Sequence, residues 1–571
     1  MKVLIIGGVA GGASAATRLR RLNENCEIIL FERGEHISFA NCGLPYYVGE
    51  VIREKAKLVV QTPEAMKLRF NIDIRTLSEV VEIDTEKKEI EVNDLTNGIT
   101  YREAYDKLIL SPGAAPIKPR IAGLDAKNVF TMRNIPDTYA IKDFIDHRQP
   151  RRAVVIGGGF IGIELAENLA ERGVKVTVVE LANQVMGPID FEMAALIHQH
   201  LKEKGIEIYL EDGIQSVRHE EKYSIIFLSS KTEIKTDMVI LGLGVTPETK
   251  LAKAANLELG ERGGIKVDKT LKTSDPDIFA VGDAVEVSDY VNSKPTLIPL
   301  AGPANKQGRI AANNICGVYD EYDGTQGTSV LKVFDLTVAA TGNNEKALKK
   351  LHISYEKSYT HSLSHAGYYL GATPISLKLI FSPADGKILG AQAVGYTGVE
   401  KRIDVIATAI RAGMTVHNLE KLELSYAPPY SSAKDPVNMA GYVAVNILKE
   451  YCRIIHWDEI DQLDKTNSLL IDVRTPLEFS MGSIEGAVNI PLDDLRSRLQ
   501  EIPKDKAVIL FCQVGLRGYL AYRILIQKGY QHIRNLSGGY KTYKTAVQEQ
   551  SNRGIYRYEE LYQDALVWPP S

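Results

Sequence analysis

Lys2-Val3-Leu4-Ile5-Ile6-Gly7-Gly8-Val9-Ala10-Gly11-Gly12 opens the chain, and Ala153-Val154-Val155-Ile156-Gly157-Gly158-Gly159-Phe160-Ile161-Gly162 repeats its plan about 150 residues later. Each copy runs from an apolar strand-like stretch through a glycine-rich turn into a helix-forming segment. A second apolar stretch follows, Cys26-Glu27-Ile28-Ile29-Leu30-Phe31 or Lys175-Val176-Thr177-Val178-Val179, and ends at Glu32 or Glu180. The pattern is a βαβ unit. Its glycines let the backbone and the positive helix N-terminus approach a pyrophosphate, and an acid roughly 20 residues on accepts ribose hydroxyls. The second copy carries the full GxGxxG at 157, 159 and 162, whereas Val9 replaces the middle glycine of the first. One match alone is also compatible with a plain tight turn; the same unit twice predicts two nucleotide sites.

At 571 residues the chain exceeds what one core serves, which predicts three or four domains. A composition of 44% hydrophobic and 25% charged residues with a formal net charge of −4 supplies no global basic field for nucleic acid or anionic lipid. No run reaches the roughly 18 apolar residues that cross a bilayer, and the N-terminus enters Val3-Leu4-Ile5-Ile6 at once, so the expectation is a cytoplasmic protein. The five cysteines, at 26, 42, 316, 452 and 512, are scattered and lack CxxC spacing, which favours free thiols over a disulfide framework or a zinc site.

Two strand-to-turn segments, Leu108-Ile109-Leu110-Ser111-Pro112-Gly113 and Val239-Ile240-Leu241-Gly242-Leu243-Gly244, fall where a chain would leave one nucleotide domain for the other. Ile278-Phe279-Ala280-Val281-Gly282-Asp283 delivers Gly-Asp at a strand end, where a carboxylate can meet a polyol; the plainer reading is an Asx turn. From about Thr328 to Leu448 no glycine-rich nucleotide motif occurs, and the segment reads as a separate α/β unit holding Tyr368-Tyr369 and Tyr426-Ala427-Pro428-Pro429-Tyr430. Near Tyr451 the pattern restarts with Leu469-Leu470-Ile471-Asp472-Val473-Arg474. Ala507-Val508-Ile509-Leu510-Phe511 then runs into Cys512-Gln513-Val514-Gly515-Leu516-Arg517-Gly518. The stretch Gln548 to Ser571, with Trp568-Pro569-Pro570 near its end, carries no functional signal.

Cys42 lies in Ser38-Phe39-Ala40-Asn41-Cys42-Gly43-Leu44-Pro45-Tyr46-Tyr47, where Gly43 and Pro45 mark a loop or helix start. A cysteine there is pushed toward thiolate by backbone amides and the helix dipole, and thiolate is the form that attacks a disulfide. A lone cysteine also reads as an ordinary small buried residue. Arg18, Arg20 and Arg21 form a cationic stretch on the first helix, suited to phosphates or simply to solvent.

Together, Gly7 through Glu32, Cys42, Gly157 through Glu180 and Gly282-Asp283 resemble the pyridine nucleotide-disulfide oxidoreductases over about the first 445 residues. Dithiol members of that family carry CxxxxC; here Tyr47 occupies the fifth position after Cys42, so the single-cysteine branch fits. The stretch around Cys42, with Ser425-Tyr426-Ala427-Pro428-Pro429-Tyr430-Ser431-Ser432-Ala433-Lys434-Asp435-Pro436, resembles the coenzyme A-disulfide reductases. The resemblance implies FAD held by Gly7, Gly8, Val9, Ala10 and Gly12, by Glu32 and Arg33, and by Gly113, Gly282 and Asp283. It implies NADH at Gly157, Gly159, Phe160, Ile161 and Gly162, with Glu180 and Gly244; a carboxylate at 180 favours NADH over NADPH by repelling a 2′-phosphate. Coenzyme A contacts carry over to Ser14, Arg18, Arg21, Ser38, Asn41 and Lys434. Tyr368 and Tyr426, supplied by the second subunit of a homodimer, would assist the departing thiolate. Tyr369 and Tyr430 are further candidates, and Leu370 stands where that family has proline.

The Cys512 loop can wrap amides around a sulfur anion, an arrangement that depresses a thiol pKa. With Asp472-Val473-Arg474 and Gly482-Ser483-Ile484-Glu485-Gly486-Ala487 upstream, it resembles the rhodanese domain, whose cysteine carries sulfane sulfur as a persulfide. A cysteine phosphatase would have CX5R, one residue longer than Cys512 to Arg517. Cys26, Cys316 and Cys452 read as structural.

The expected fold class is α/β: two Rossmann-like FAD and NAD(P) domains, an α/β dimerisation domain and a C-terminal rhodanese-like α/β domain. Expected boundaries are 1–117 and 245–327 for the FAD domain, 118–244 for the NAD(P) domain, 328–448 for dimerisation, 455–547 for the rhodanese-like domain and 548–571 for a tail. The expected activity is NAD(P)H-driven reduction of coenzyme A persulfide, polysulfide or coenzyme A disulfide through Cys42, with Cys512 and Arg517 handling sulfane sulfur. Two alternatives stand beside it: an NADH oxidase or peroxidase cycling Cys42 through sulfenic acid, and a redox sensor or sulfur-carrier binding protein with slow turnover.

Overall fold

The computed structural model describes residues 1–551. The chain forms two compact units, one of Met1–Val179 with Asp212–Gly327, the other of Glu180–Glu211 with the chain from Thr328 onward.

In the first unit a parallel sheet runs in the order Ile278–Ala280, Lys107–Leu110, Lys2–Ile6, Glu27–Phe31, Asp73–Arg75. The three central strands, Lys107–Leu110, Lys2–Ile6 and Glu27–Phe31, are nearly continuous apolar runs because both faces are covered, and Val3, Leu4 and Ile5 are wholly buried. The helix Ala10–Leu22 packs on Ala301–Ile315 through small residues. A Cβ on Gly308 would stand 2.2 Å from the Gly11 carbonyl oxygen, so the helices approach backbone to backbone. A second group of parallel strands lies in the order Lys175–Val179, Arg152–Ile156, Met238–Leu241, Val129–Thr131. Short strands Ala114–Pro116 and Val245–Pro247, directly after the two strand-to-turn segments, pair antiparallel.

The second unit holds an antiparallel sheet in the order Ser329–Val333, Leu336–Gly342, Ile388–Gly395, Pro374–Phe381, Glu356–Leu363. It also holds a parallel sheet in the order Ile454–Ile455, Ile533–Leu536, Ala507–Phe511, Ser468–Asp472, Val488–Asn489. Cys512 follows the central strand of the latter, at the carboxyl end where open α/β sheets bind ligands.

The helix Gly539–Ser551 runs across the boundary expected at 548; within it the Glu549 carboxylate accepts two 2.8 Å hydrogen bonds from buried Lys202 Nζ and lies 3.5 Å from His198 Nδ1. Trp568-Pro569-Pro570 lies outside the described residues. A second buried cluster joins Lys378 Nζ to Asp190 at 2.8 Å and to Glu192 and Glu345. Those three carboxylates lie close enough together to hold a metal ion, and the Lys378 ammonium takes that place. No helix of the described residues is long and apolar enough to cross a membrane.

Candidate functional site

A cavity of about 300 Å³ lies in the first unit, lined among others by Gly7, Val9, Ala10, Glu32, Arg33, Asn41, Gly113, Gly282 and Asp283. The turn is built for close approach. Gly7 has φ +97°, and a Cβ on Gly12 would lie 1.9 Å from the Gly7 carbonyl oxygen, so position 12 in the first turn of the helix admits only glycine. Gly8 does not line the cavity; its N–H donates to Glu32 Oε2 at 2.9 Å, and Gly34 N–H donates to Glu32 Oε1 at 2.9 Å. Those bonds fix the carboxylate at the strand end, as a ribose ligand requires. Arg33 is tied to Glu248 at 2.6 Å, and the Gly282 N–H donates to Gln307 Oε1 at 2.7 Å. Burial pushes the Asp283 carboxyl above its ordinary value, with Arg133 pulling the other way. This donor set fits a dinucleotide such as FAD. Ser111, from the first strand-to-turn segment, also lines the cavity, as do Arg133, Glu248 and Ala304, which no sequence motif singled out.

In the second glycine turn of the same unit, Gly157 has φ +107°, and a Cβ at Gly162 would lie 2.0 Å from the Gly157 carbonyl oxygen. Gly159 differs: a Cβ there meets nothing within 4 Å, so this glycine leaves room outside the protein rather than inside it. Phe160 and Ile161 begin the helix Phe160–Glu171, and Gly244 turns the chain at φ +88°. In the second unit, Glu180 Oε1 accepts the Ala182 N–H at 2.8 Å.

Cys42 sits in a 3-10 turn, Asn41–Gly43, that runs into the short helix Leu44–Val48. Its side chain is exposed, and Asn41 beside it lines the cavity. The expected depression of its thiol pKa is not found. Partial desolvation pushes it above the ordinary value, and the Glu164 and Asp283 carboxylates add to the rise. A five-residue helix supplies too small a dipole to oppose them. Tyr46, one turn after Cys42, donates to Glu164 Oε1 at 3.2 Å. Burial pushes the Glu164 carboxyl up to about 7. Sequence reading passed over Glu164, which looks like one more charged residue of an amphipathic helix. Tyr47 is buried, leaving no second thiol in this loop.

Of the coenzyme A candidates, Ser14 donates to Asn305, and Arg18 Nε donates to Asn313 Oδ1 at 2.7 Å. Arg21 is exposed, but Arg20 is not available to a ligand: it is buried and donates to the carbonyls of Phe70, Glu24 and Asn71. Ser38, at φ +45°, fixes the Cys42 loop by donating its N–H to the Gly8 carbonyl at 2.8 Å. In the second unit the Tyr368 and Tyr426 hydroxyls lie 2.6 Å apart, and this bond raises the Tyr368 pKa. Tyr369 packs its ring against His365, and Tyr430 and Lys434 are exposed. Leu370, where proline was expected, is 94% exposed, and its carbonyl accepts from His365 Nε2 at 3.2 Å.

The Cys512 side chain is buried, and Gly515 N–H donates to its sulfur at 3.2 Å from the start of the helix Leu516–Gln527. Arg517 makes a two-pronged pair with Glu478 at 2.7 and 2.6 Å. Arg517 pulls the Glu478 carboxyl down to about 2. The guanidinium is itself held charged by Glu478 first, with the nearby Cys512 sulfur adding. Beneath the loop, Arg474 clamps Asp472 and reaches Gln513 Oε1 at 3.1 Å.

Known proteins share this plan. Residues 1–308 match the pyridine nucleotide-disulphide oxidoreductase family, 328–436 its dimerisation domain and 457–546 the rhodanese-like domain. The coenzyme A disulfide reductase of Staphylococcus haemolyticus is 36% identical over 444 residues, 78% of this chain and 99% of that protein. The crystal structure of reduced Bacillus anthracis CoADR-RHD is 57% identical, covers 97% of this chain and 99% of its own, and superposes with a TM-score of 0.94. A NAD-dependent persulfide reductase from A. fulgidus is 37% identical over 95% of this chain and all of its own, with a TM-score of 0.89. The chain therefore belongs to the pyridine nucleotide-disulphide oxidoreductase family, with that family's dimerisation domain and a rhodanese-like domain behind it.

Proposed function

We propose that this FAD-dependent oxidoreductase uses NADH to reduce coenzyme A persulfide, polysulfide or coenzyme A disulfide through Cys42, while Cys512 handles sulfane sulfur. The observation that carries it is an exposed lone thiol beside a dinucleotide cavity, with a buried tyrosine where dithiol relatives would have a second cysteine. FAD, when bound, supplies the route by which an electron pair passes from the nicotinamide to sulfur. The Cys42 thiolate attacks the substrate S–S bond, which breaks and expels a thiol or hydrosulfide, leaving the other sulfur on Cys42 as a mixed disulfide that the electron pair then cleaves. Breaking that mixed disulfide leaves one sulfur on Cys42 and the other on the departing thiol or hydrosulfide. Tyr368 and Tyr426, brought by a partner subunit, donate the proton that the leaving sulfur takes up; their mutual hydrogen bond supports a paired role. Glu32, Arg33 and the Gly7–Gly12 turn orient the flavin nucleotide, and Gly157–Gly162 with Glu180 orients NADH. Ser14, Arg18, Arg21, Ser38, Asn41 and Lys434 bind coenzyme A. The dimerisation domain supports a homodimer, and the free cysteines support a reducing, cytoplasmic setting.

Cys42→Ser is the direct test. It should retain bound flavin and lose NADH-driven persulfide reduction; undiminished turnover contradicts the proposal. Bound coenzyme A in stoichiometric amount on the purified protein would argue against the oxidase or peroxidase alternative. Fast NADH consumption with persulfide acceptors would argue against a sensor.

A further inference from the structure

The turn Gly538-Gly539 is pressed between the Cys512 loop and the antiparallel sheet of the second unit. A Cβ on Gly539 would lie 2.4 Å from the Cys512 carbonyl oxygen. One on Gly538 would lie 2.8 Å from Tyr359 Cβ and 2.3 Å from Thr542 Oγ1. On the loop side, Tyr540 N–H donates to the Cys512 carbonyl at 2.8 Å and Lys541 N–H to the Gln513 carbonyl at 3.0 Å. On the sheet side, Tyr359 N–H donates to Ser537 Oγ at 3.4 Å, and His361 Nε2 lies 2.9 Å from Thr542 Oγ1. The other imidazole nitrogen, Nδ1, lies 2.8 Å from Ser376 Oγ on the neighbouring strand. Residues 359 and 361 project from the same face of the edge strand Glu356–Leu363. The rhodanese-like domain thus covers that edge, and the sheet in turn braces the turn on which the sulfur loop hangs.

We propose that His361 is a positioning residue for Cys512: by holding Thr542 against the sheet it fixes the Gly538-Gly539 turn and, through the two N–H groups that follow, the backbone of the sulfur loop. Burial, with Lys541 adding, pushes the His361 pKa down to about 3, so the imidazole is neutral and its two hydrogen bonds persist at any physiological pH. The inference rests on the reading of Cys512 as the sulfane acceptor. In that step the Cys512 thiolate attacks the outer sulfur of thiosulfate. A Cys512–sulfur bond forms, the thiosulfate S–S bond breaks, and sulfite leaves with the bonding pair, so no reductant is consumed. Such an attack depends on the angle at which the thiolate meets the S–S axis.

The test uses the flavin-loaded full chain, with single-turnover sulfite release from thiosulfate as readout. His361→Ala is expected to slow release on the order of tenfold with an unchanged thiosulfate KM, since small misplacements cost rate before binding. NADH turnover should stay within about twofold of wild type, because no group at Cys42 is touched. His361→Gln, whose amide can still bridge Ser376 and Thr542, should restore most of the rate. Thr542→Val, which removes that bond from the other side together with the 3.3 Å bond from the Thr542 hydroxyl to the Gly538 carbonyl, should lose at least as much. Wild-type release in both His361→Ala and Thr542→Val overturns the inference. So does a Gln variant as slow as the Ala variant, since that assigns the effect to packing. Cys512→Ser separates the premise: if it releases sulfite like the wild type, or if the wild type releases none, the reading of Cys512 falls and the inference falls with it.

Discussion

The Cys42 thiol sits in the field of the Glu164 carboxylate. Partial desolvation is the main cause that holds the thiol pKa up, and the Glu164 carboxylate adds to it; burial raises that carboxyl itself to about 7. Glu164→Gln should therefore lower the pH midpoint of Cys42 alkylation in the reduced protein; an unmoved midpoint refutes the electrostatic link. The same carboxyl carries a stability signature. Between about pH 4.5 and 7 the native state keeps a proton that the unfolded chain has released, so stability falls as pH rises through that window. Because glutamine has no such proton, the variant's melting temperature should gain on the wild type across the window and not beyond it. Cys42 was legible in the sequence because glycine and proline flank it and position 47 lacks a thiol. Glu164 was not, since its role comes from Tyr46, more than 100 residues away along the chain.

The two glycine turns divide their work between packing and ligand. Gly162→Ala places a methyl 2.0 Å from a carbonyl oxygen and should disrupt the helix start, abolishing NADH reduction of the flavin. Gly159→Val meets open space and copies the residue at position 9 of the first turn, so it should fold normally. NADH binding, read from titration of the flavin absorbance, should weaken on the order of tenfold, about 1.4 kcal/mol. Equal behaviour of the two variants contradicts this division. Both turns were readable because the need for glycine is local. That the helix Gly539–Ser551 continues past 548 was not readable, because Gln548 and Glu549 are polar; Glu549 is held by Lys202, on a helix that sequence distance alone cannot bring near.

At the scale of the molecule, the rhodanese-like domain is docked by buried polar contacts rather than tethered loosely. Glu549→Ala removes two hydrogen bonds to buried Lys202 Nζ and should lower the denaturation midpoint; an unmoved midpoint would contradict a stabilising role for the pair. The two sulfur sites should be separable in function. Cys512→Ser is expected to abolish sulfite release from thiosulfate and to leave kcat/KM for coenzyme A disulfide within about twofold. The order of domains was legible from the repeated βαβ unit and the Cys512 loop. The bracing of that loop by His361 was not, because a histidine in a strand of ordinary composition carries no motif.

The most direct measurement of the central claim is anaerobic addition of one NADH per chain to the protein loaded with coenzyme A disulfide, followed by alkylation and peptide mass analysis. The peptide containing Cys42 should change from a mixed disulfide to an alkylated free thiol, with one coenzyme A released and Cys26, Cys316 and Cys452 unchanged. A Cys42 peptide that never carries the adduct, or a disulfide between two of the chain's own cysteines, would contradict it.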